Sequence, residues 1–190
     1  MKGNVSIDRY LGHAADLDAH TRNIWQVRTI GRIYYPPQVG TRRGGANGNA
    51  LDAANQLYAM PFPLEINRVA DRLVVDITAQ AGEKIRMGIY LDNGSLLPGV
   101  LLLDAGEITL SATGEIAYTI SQALTKGTIW LAFVSNGTPT IRDYNTNCEP
   151  ILGTEANCVF LAHTYGPLPN PFGAANYHHR AWGFGLRFSS

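Results

Sequence analysis

Charge is scarce in this chain. Only 16% of its 190 residues are Asp, Glu, Lys or Arg, and 15 basic residues balance 15 acidic ones. No net field is therefore available to hold a phosphate backbone or an anionic membrane, which argues against nucleic acid as a partner. Long apolar runs are missing too: none approaches the 18 or so residues that cross a bilayer, so no membrane insertion is expected. The opening MKGNVSIDRY lacks the apolar stretch of a signal peptide, and the expectation is a soluble chain made in the cytoplasm. Cysteine is nearly absent. Cys148 and Cys158 stand apart from any Cys or His at zinc-ligand spacing, which speaks against a metal centre. The two read as reduced thiols in a cytosolic product, or as one loop-closing bridge if the product leaves the cell.

Catalytic constellations are also lacking. Asp92 sits in an Asp-Asn-Gly turn and Asp104 precedes Ala-Gly, settings where short carboxylates cap the backbone, and the two do not read as the facing pair of a glycosidase. His178 and His179 are adjacent, so on a strand they would point to opposite faces and could not share a metal. Neither Gly-x-Ser-x-Gly nor a Cys–His couple is visible. Gly44, Gly45 and Gly48 are not followed by the Lys-Ser/Thr of a phosphate loop. Asp92 to Ser95 supplies too few carboxylates for calcium. The chain reads as no enzyme, with no cofactor and no metal.

Strands and turns are what it does contain. Twenty Gly and ten Pro fall between short β-rich runs, as tight turns between strands require. LVVDIT and IRMGIYL flank a turn at 80–84, with Leu73, Val75 and Ile77 alternating against Val74, Asp76 and Thr78, and the two runs are expected to pair. Turn clusters then recur every eight to twelve residues, at 92–95, 98–99, 104–106, 113–114 and 126–127. Strands are expected over 100–103, 107–110, 116–120 and 128–135. The last, TIWLAFVS, is nearly all apolar and reads as central, with Trp130 and Phe133 on opposite faces. Residues 40–50 read as an exposed loop, 136–182 as irregular, and GFGLRF as a closing strand. This is an all-β antiparallel β-sandwich over 30–190.

Residues 1–29 differ. Ile7, Leu11, Ala14, Ala15 and Leu17 have loosely helical spacing, too thin for a self-sufficient helix, so this N-terminal extension is expected to dock on something. Ile7, Leu11, Leu17, Ile24 and Trp25 would supply the apolar contacts.

MPF at 60–62, IRMGIYLDNGSLLPGVLLLDAGEI at 85–108, the Leu124-Thr-Lys-Gly stretch before TIWLAFVS and the closing YGPLPNPF…GLRF together resemble the small jelly-roll accessory and fibre-type structural proteins of tailed bacteriophages and related particles. The resemblance spans roughly residues 31–190. It implies a jelly-roll domain of a virion, on a tail, baseplate or head, with other virion proteins as partners through the N-terminal arm. It also implies a homo-oligomer, such as a trimer, and contact with host-surface glycan. A sugar site needs exposed aromatic faces flanked by planar polar groups. Tyr144, Asn145, Asn147, Tyr165, Asn176, Tyr177, His178, His179 and Trp182 offer such a set, which makes a carbohydrate-binding module acting through the 143–182 loops the alternative. The same aromatics could instead pin loops to the core.

Overall fold

The computed structural model describes residues 30–36, 48–143, 152 and 156–189. The expected arm over 1–29, with its helix, lies outside the described residues, as does most of the glycine-rich stretch of 40–50. Among the described residues every regular element is a strand: β1 (Ile33–Tyr34), β2 (Gly48–Ala50), β3 (Gln56–Leu64), β4 (Arg68–Ala79), β5 (Lys84–Asp92), β6 (Pro98–Thr109), β7 (Gly114–Leu124), β8 (Gly127–Ser135), β9 (Thr140–Arg142), β10 (Cys158–Ala162), β11 (Asn176–His178) and β12 (Phe184–Phe188).

All pairings are antiparallel. In the first sheet β4 pairs with β7 on one side; on the other, β12 and β9 lie end to end along it, backed by β1 and β2 respectively. The second sheet runs β11-β10-β3-β8-β5-β6. The chain alternates between them, from β3 to β4, back to β5 and β6, across to β7, back to β8 and across to β9. That order is the double-sheet jelly roll.

Three expectations change. LVVDIT and IRMGIYL do not pair: β4 belongs to the first sheet and β5, which pairs with β6 and β8, to the second. A turn at 80–84 serves a hairpin or a crossing between sheets equally well, and burial of each strand against different partners decides. The 98–99 and 104–106 clusters are not turns: Pro98 and Gly99 open β6, with Pro98 opposite Asp92, and 104–106 is an irregularity within the same strand, opposite Met87 and Gly88, with Gly106 at a φ of 94°. Residues 48–50 and parts of 136–182 form strands: β10, with Val159 and Phe160, has β propensity of its own, whereas the short β2, β9 and β11 take their order from paired neighbours.

The core lies between the sheets. Leu73, Val75 and Ile77 of β4 meet Ile129, Leu131 and Phe133 of β8 there, with Phe184, Leu186 and Phe188 of β12. The opposite face of β8 is equally buried: Trp130, Ala132 and Val134 lie with Tyr90, Leu168 and Phe172. Trp130 and Phe133 thus do face opposite ways. The segment 163–175 forms a strap over this outer face. Tyr90 donates its hydroxyl to the Pro169 carbonyl at 2.8 Å, the Phe172 amide donates to Gly99 O at 2.9 Å, and the Leu168 amide to Asp104 at 3.0 Å. Gly88 makes this closure feasible, since a Cβ there would collide with the Leu168 side chain and the Leu103 carbonyl.

Phe133 stacks on Tyr58 at 5.4 Å and meets Phe184 edge-on at 5.4 Å. Phe133→Ala should lower the unfolding free energy by about 3–5 kcal/mol in a denaturant titration; a loss under about 1 kcal/mol would show that stability does not reside in this layer.

Candidate functional site

The densest polar and aromatic cluster sits where β2 and β9 of the first sheet approach β10 and β11 of the second. Asp52 follows β2, and its carboxylate lies 2.6 Å from His178 Nε2 at the end of β11. The Arg180 amide donates to His178 Nδ1 at 3.1 Å. An imidazole that accepts at Nδ1 carries its proton at Nε2, which it donates to Asp52. Both ring nitrogens are engaged in this way, so His178 has no free nitrogen with which to act as a base.

Around the ring stand Tyr58 and Phe160, both edge-on at 5.6 Å, Trp182 at 6.2 Å, and His179 stacked at 4.8 Å and 16°. The two histidines therefore share one side instead of pointing apart, because the chain leaves β11 at His178 and its extended alternation stops there. Asp143, buried at the end of β9, collects Asn49 Nδ2 at 2.9 Å and Arg180 Nη1 at 2.8 Å. Arg180 Nε and Trp182 Nε1 are buried without a hydrogen-bond partner.

Titration in the cluster follows from burial. His178 is held below the ordinary histidine range, chiefly because its ring is withdrawn from water; the Asp52 carboxylate opposes this and His179 and Arg180 add to it. The Cys158 thiol is free and wholly buried. Burial, and then Asp143 and Asp52, push it well above its usual value, so it is protonated and inert rather than nucleophilic.

Among the described members of the sugar-binding set predicted from the sequence, His178, His179 and Trp182 meet in this cluster, whereas Tyr165 is held elsewhere. Tyr144, Asn145 and Asn147 lie outside the described residues, as do Ile7, Leu11, Leu17, Ile24, Trp25 and Cys148. Trp182 is fully buried and packs edge-on against Tyr58 at 5.7 Å. It is a core residue and presents no face to a sugar. Tyr165 belongs to the strap: its amide bonds Asn55 Oδ1 at 2.9 Å and its hydroxyl bonds Glu107 at 3.2 Å, and burial with the Glu107 charge pushes the phenol up to about 12. Tyr177, 62% exposed on β11, is the exposed large aromatic among the described residues, with Asn176 and His179 exposed beside it.

Asp92 and Asp104 hold backbone, as expected. Asp92 accepts from the Gly94 amide at 2.7 Å and from Trp130 Nε1 at 2.9 Å; Asp104 accepts from Gly106 and from Arg86 Nε through both oxygens, at 2.8 and 3.0 Å. Asp52, Asp143 and Arg180 were not singled out by the sequence. They carry no motif, and their meeting spans 128 positions from Asp52 to Arg180. The sequence matches no protein-family model, and no curated protein matches it significantly.

A histidine depressed by folding makes stability pH-dependent. Below the ordinary histidine pKa of about 6.5 the unfolded chain takes up a proton that the folded chain refuses, so stability should fall as the pH drops through that value. Thermal melts between pH 7.5 and 5 should show this loss, and His178→Gln should flatten it. Asp52→Asn removes the one opposing influence and should steepen it. Identical pH slopes in all three proteins would exclude His178 as the titrating group.

Proposed function

We propose that this chain is a structural protein of a bacteriophage-type virion, a jelly-roll module of tail, baseplate, fibre or head-decoration type, held on the particle by residues 1–29 and acting without catalysis. The observation that carries the reading is the jelly-roll strand order, an architecture used by capsid and lectin domains. The sequence resemblance across 31–190 agrees with it. The use of charge also supports it. Asp71–Arg187, Asp76–Arg142, Arg86–Asp104, Lys84–Glu107 and Arg180–Asp143 each tie two segments together, the work of a scaffold. Partners under this reading are other virion proteins and further copies of the chain, and its location is the virion after synthesis in the host cytoplasm.

Deleting residues 1–29 should abolish incorporation into particles while leaving a cooperatively unfolding β domain. Normal copy number on purified particles after the deletion would refute the anchoring role.

A second reading, a carbohydrate-binding module, is favoured by one observation, the exposed Tyr177 ring flanked by Asn176 and His179 on the short edge strand β11. It is compatible with the first. Binding on a glycan array should vanish in Tyr177→Ala at unchanged melting temperature, since that ring is largely solvated; an unaltered array profile would remove Tyr177 from any sugar site.

A further inference from the structure

The exposed apolar residues are distributed unevenly over the sandwich. Ile30, Ile66, Leu91, Leu96, Val100 and Tyr177 are the exposed large hydrophobic residues among those described. All but Tyr177 lie at one end, the end that carries the β3–β4, β5–β6 and β7–β8 turns. Leu96 is 61% exposed at the β5–β6 turn and holds a φ of 56°, a conformation unusual for leucine. Between the β3–β4 and β7–β8 turns an open, mainly apolar cavity of about 250 Å³ is lined by Asn67, Arg68, Val69, Ala123, Leu124 and Thr125.

The N-terminal segment joins the domain at this same end. The Gly31 amide bonds Phe188 O at 2.9 Å, and the next residue, Ser189, bonds Val69 O at 3.0 Å. Ile30 is thus two hydrogen bonds from the wall of the cavity. Trp25 is five residues before Ile30, and five extended residues reach up to about 18 Å. A cavity of about 150 Å³ is enough to bind benzene, so the volume here suits an indole.

We infer that the cavity between Val69 and Leu124 seats the Ile24–Trp25 pair of the same chain, fixing the root of the arm to the domain. The inference rests on the anchoring reading and refines it: residues 1–23 are left to grip the particle, while Ile24 and Trp25 set the direction in which the arm leaves.

Trp130 and Trp182 are 0% exposed, so acrylamide quenching of tryptophan emission in the full-length protein reports on Trp25. Seated, Trp25 should resist quenching. Ala123→Lys, at an exposed position on the cavity rim, should release it and raise the accessible fraction of emission severalfold without lowering the melting temperature. Equal quenching in wild type and Ala123→Lys, whether strong or weak, would overturn the proposal. Protection that is lost on dilution would also overturn it, because a second copy's arm would then be the occupant. If Ala123→Lys disturbs folding, Thr125→Lys serves as the second rim variant under the same criteria. Removing residues 1–20 separates the two ideas: Trp25 should stay protected while particle incorporation is lost. Retained incorporation with a protected Trp25 would count against the anchoring reading alone.

Discussion

Burial of the central strand β8 on both of its faces is the constraint on which the rest of this structure depends. A two-layer sandwich ordinarily covers one face of each sheet and leaves the other to water. Here β8 is apolar at nearly every position, and turning either side to solvent would expose large rings. Ile129, Leu131 and Phe133 go to the inter-sheet core, while Trp130, Ala132 and Val134 need a second cover. The strap over 163–175 provides it. Its presence in turn explains Gly88, the engaged carboxylate of Asp104 and the buried hydroxyl of Tyr90, all of which meet it.

With so few charges, their placement matters. The carboxylates of Asp76, Asp104 and Asp143 are drawn partly or wholly out of water, and each has an arginine partner. A buried carboxylate without such a partner costs several kcal/mol, so these pairs satisfy groups that folding would otherwise penalise; they specify which strands may meet more than they add net stability. Asp143 illustrates the point, since it accepts from Asn49 and Arg180 and so ties the edge of one sheet to the chain leaving the edge of the other. The Asp52–His178 bond closes the same side of the sandwich a second time.

The sandwich class was legible because it rests on local signals. The alternation in β4, the apolar run of β8 and the closing GFGLRF each record the burial of their own side chains. Pairing was less legible. LVVDIT and IRMGIYL look like a hairpin because turn chemistry is local, whereas the partner of each strand is set by which layer completes the core. The short strands β2, β9 and β11 carried almost no signal, as their order comes from neighbours distant in sequence. The candidate site was the least legible for the same reason. Trp182 looks like an exposed loop aromatic beside Asn, His and Gly, yet it sits opposite Tyr58, which precedes it by 124 positions; only the folded topology reveals that it belongs to the core.

The two ends of the sandwich are chemically unlike, and the difference follows from where the chain enters. At the end where β4 begins and β12 stops, Ile66 and Leu96 lie in turns and Leu91 near the end of β5. Both ends have polar turn residues that satisfy the backbone, Asp92, Asn93 and Asn67 at this end and Gln80, Glu83 and Asn136 at the other, but the other end adds no exposed large apolar residue among those described. Turns facing water favour such polar residues, because each can replace a hydrogen bond that the backbone has lost. Leucine and isoleucine offer no such compensation, and Leu96 holds a left-handed backbone in addition. Keeping apolar side chains at one end therefore has a cost that the other end avoids, and a jelly roll folding only for its own stability would have no reason to bear it there. The cost is understandable if that end meets apolar matter in the working protein, and the first such matter within reach is the chain's own approach to Ile30.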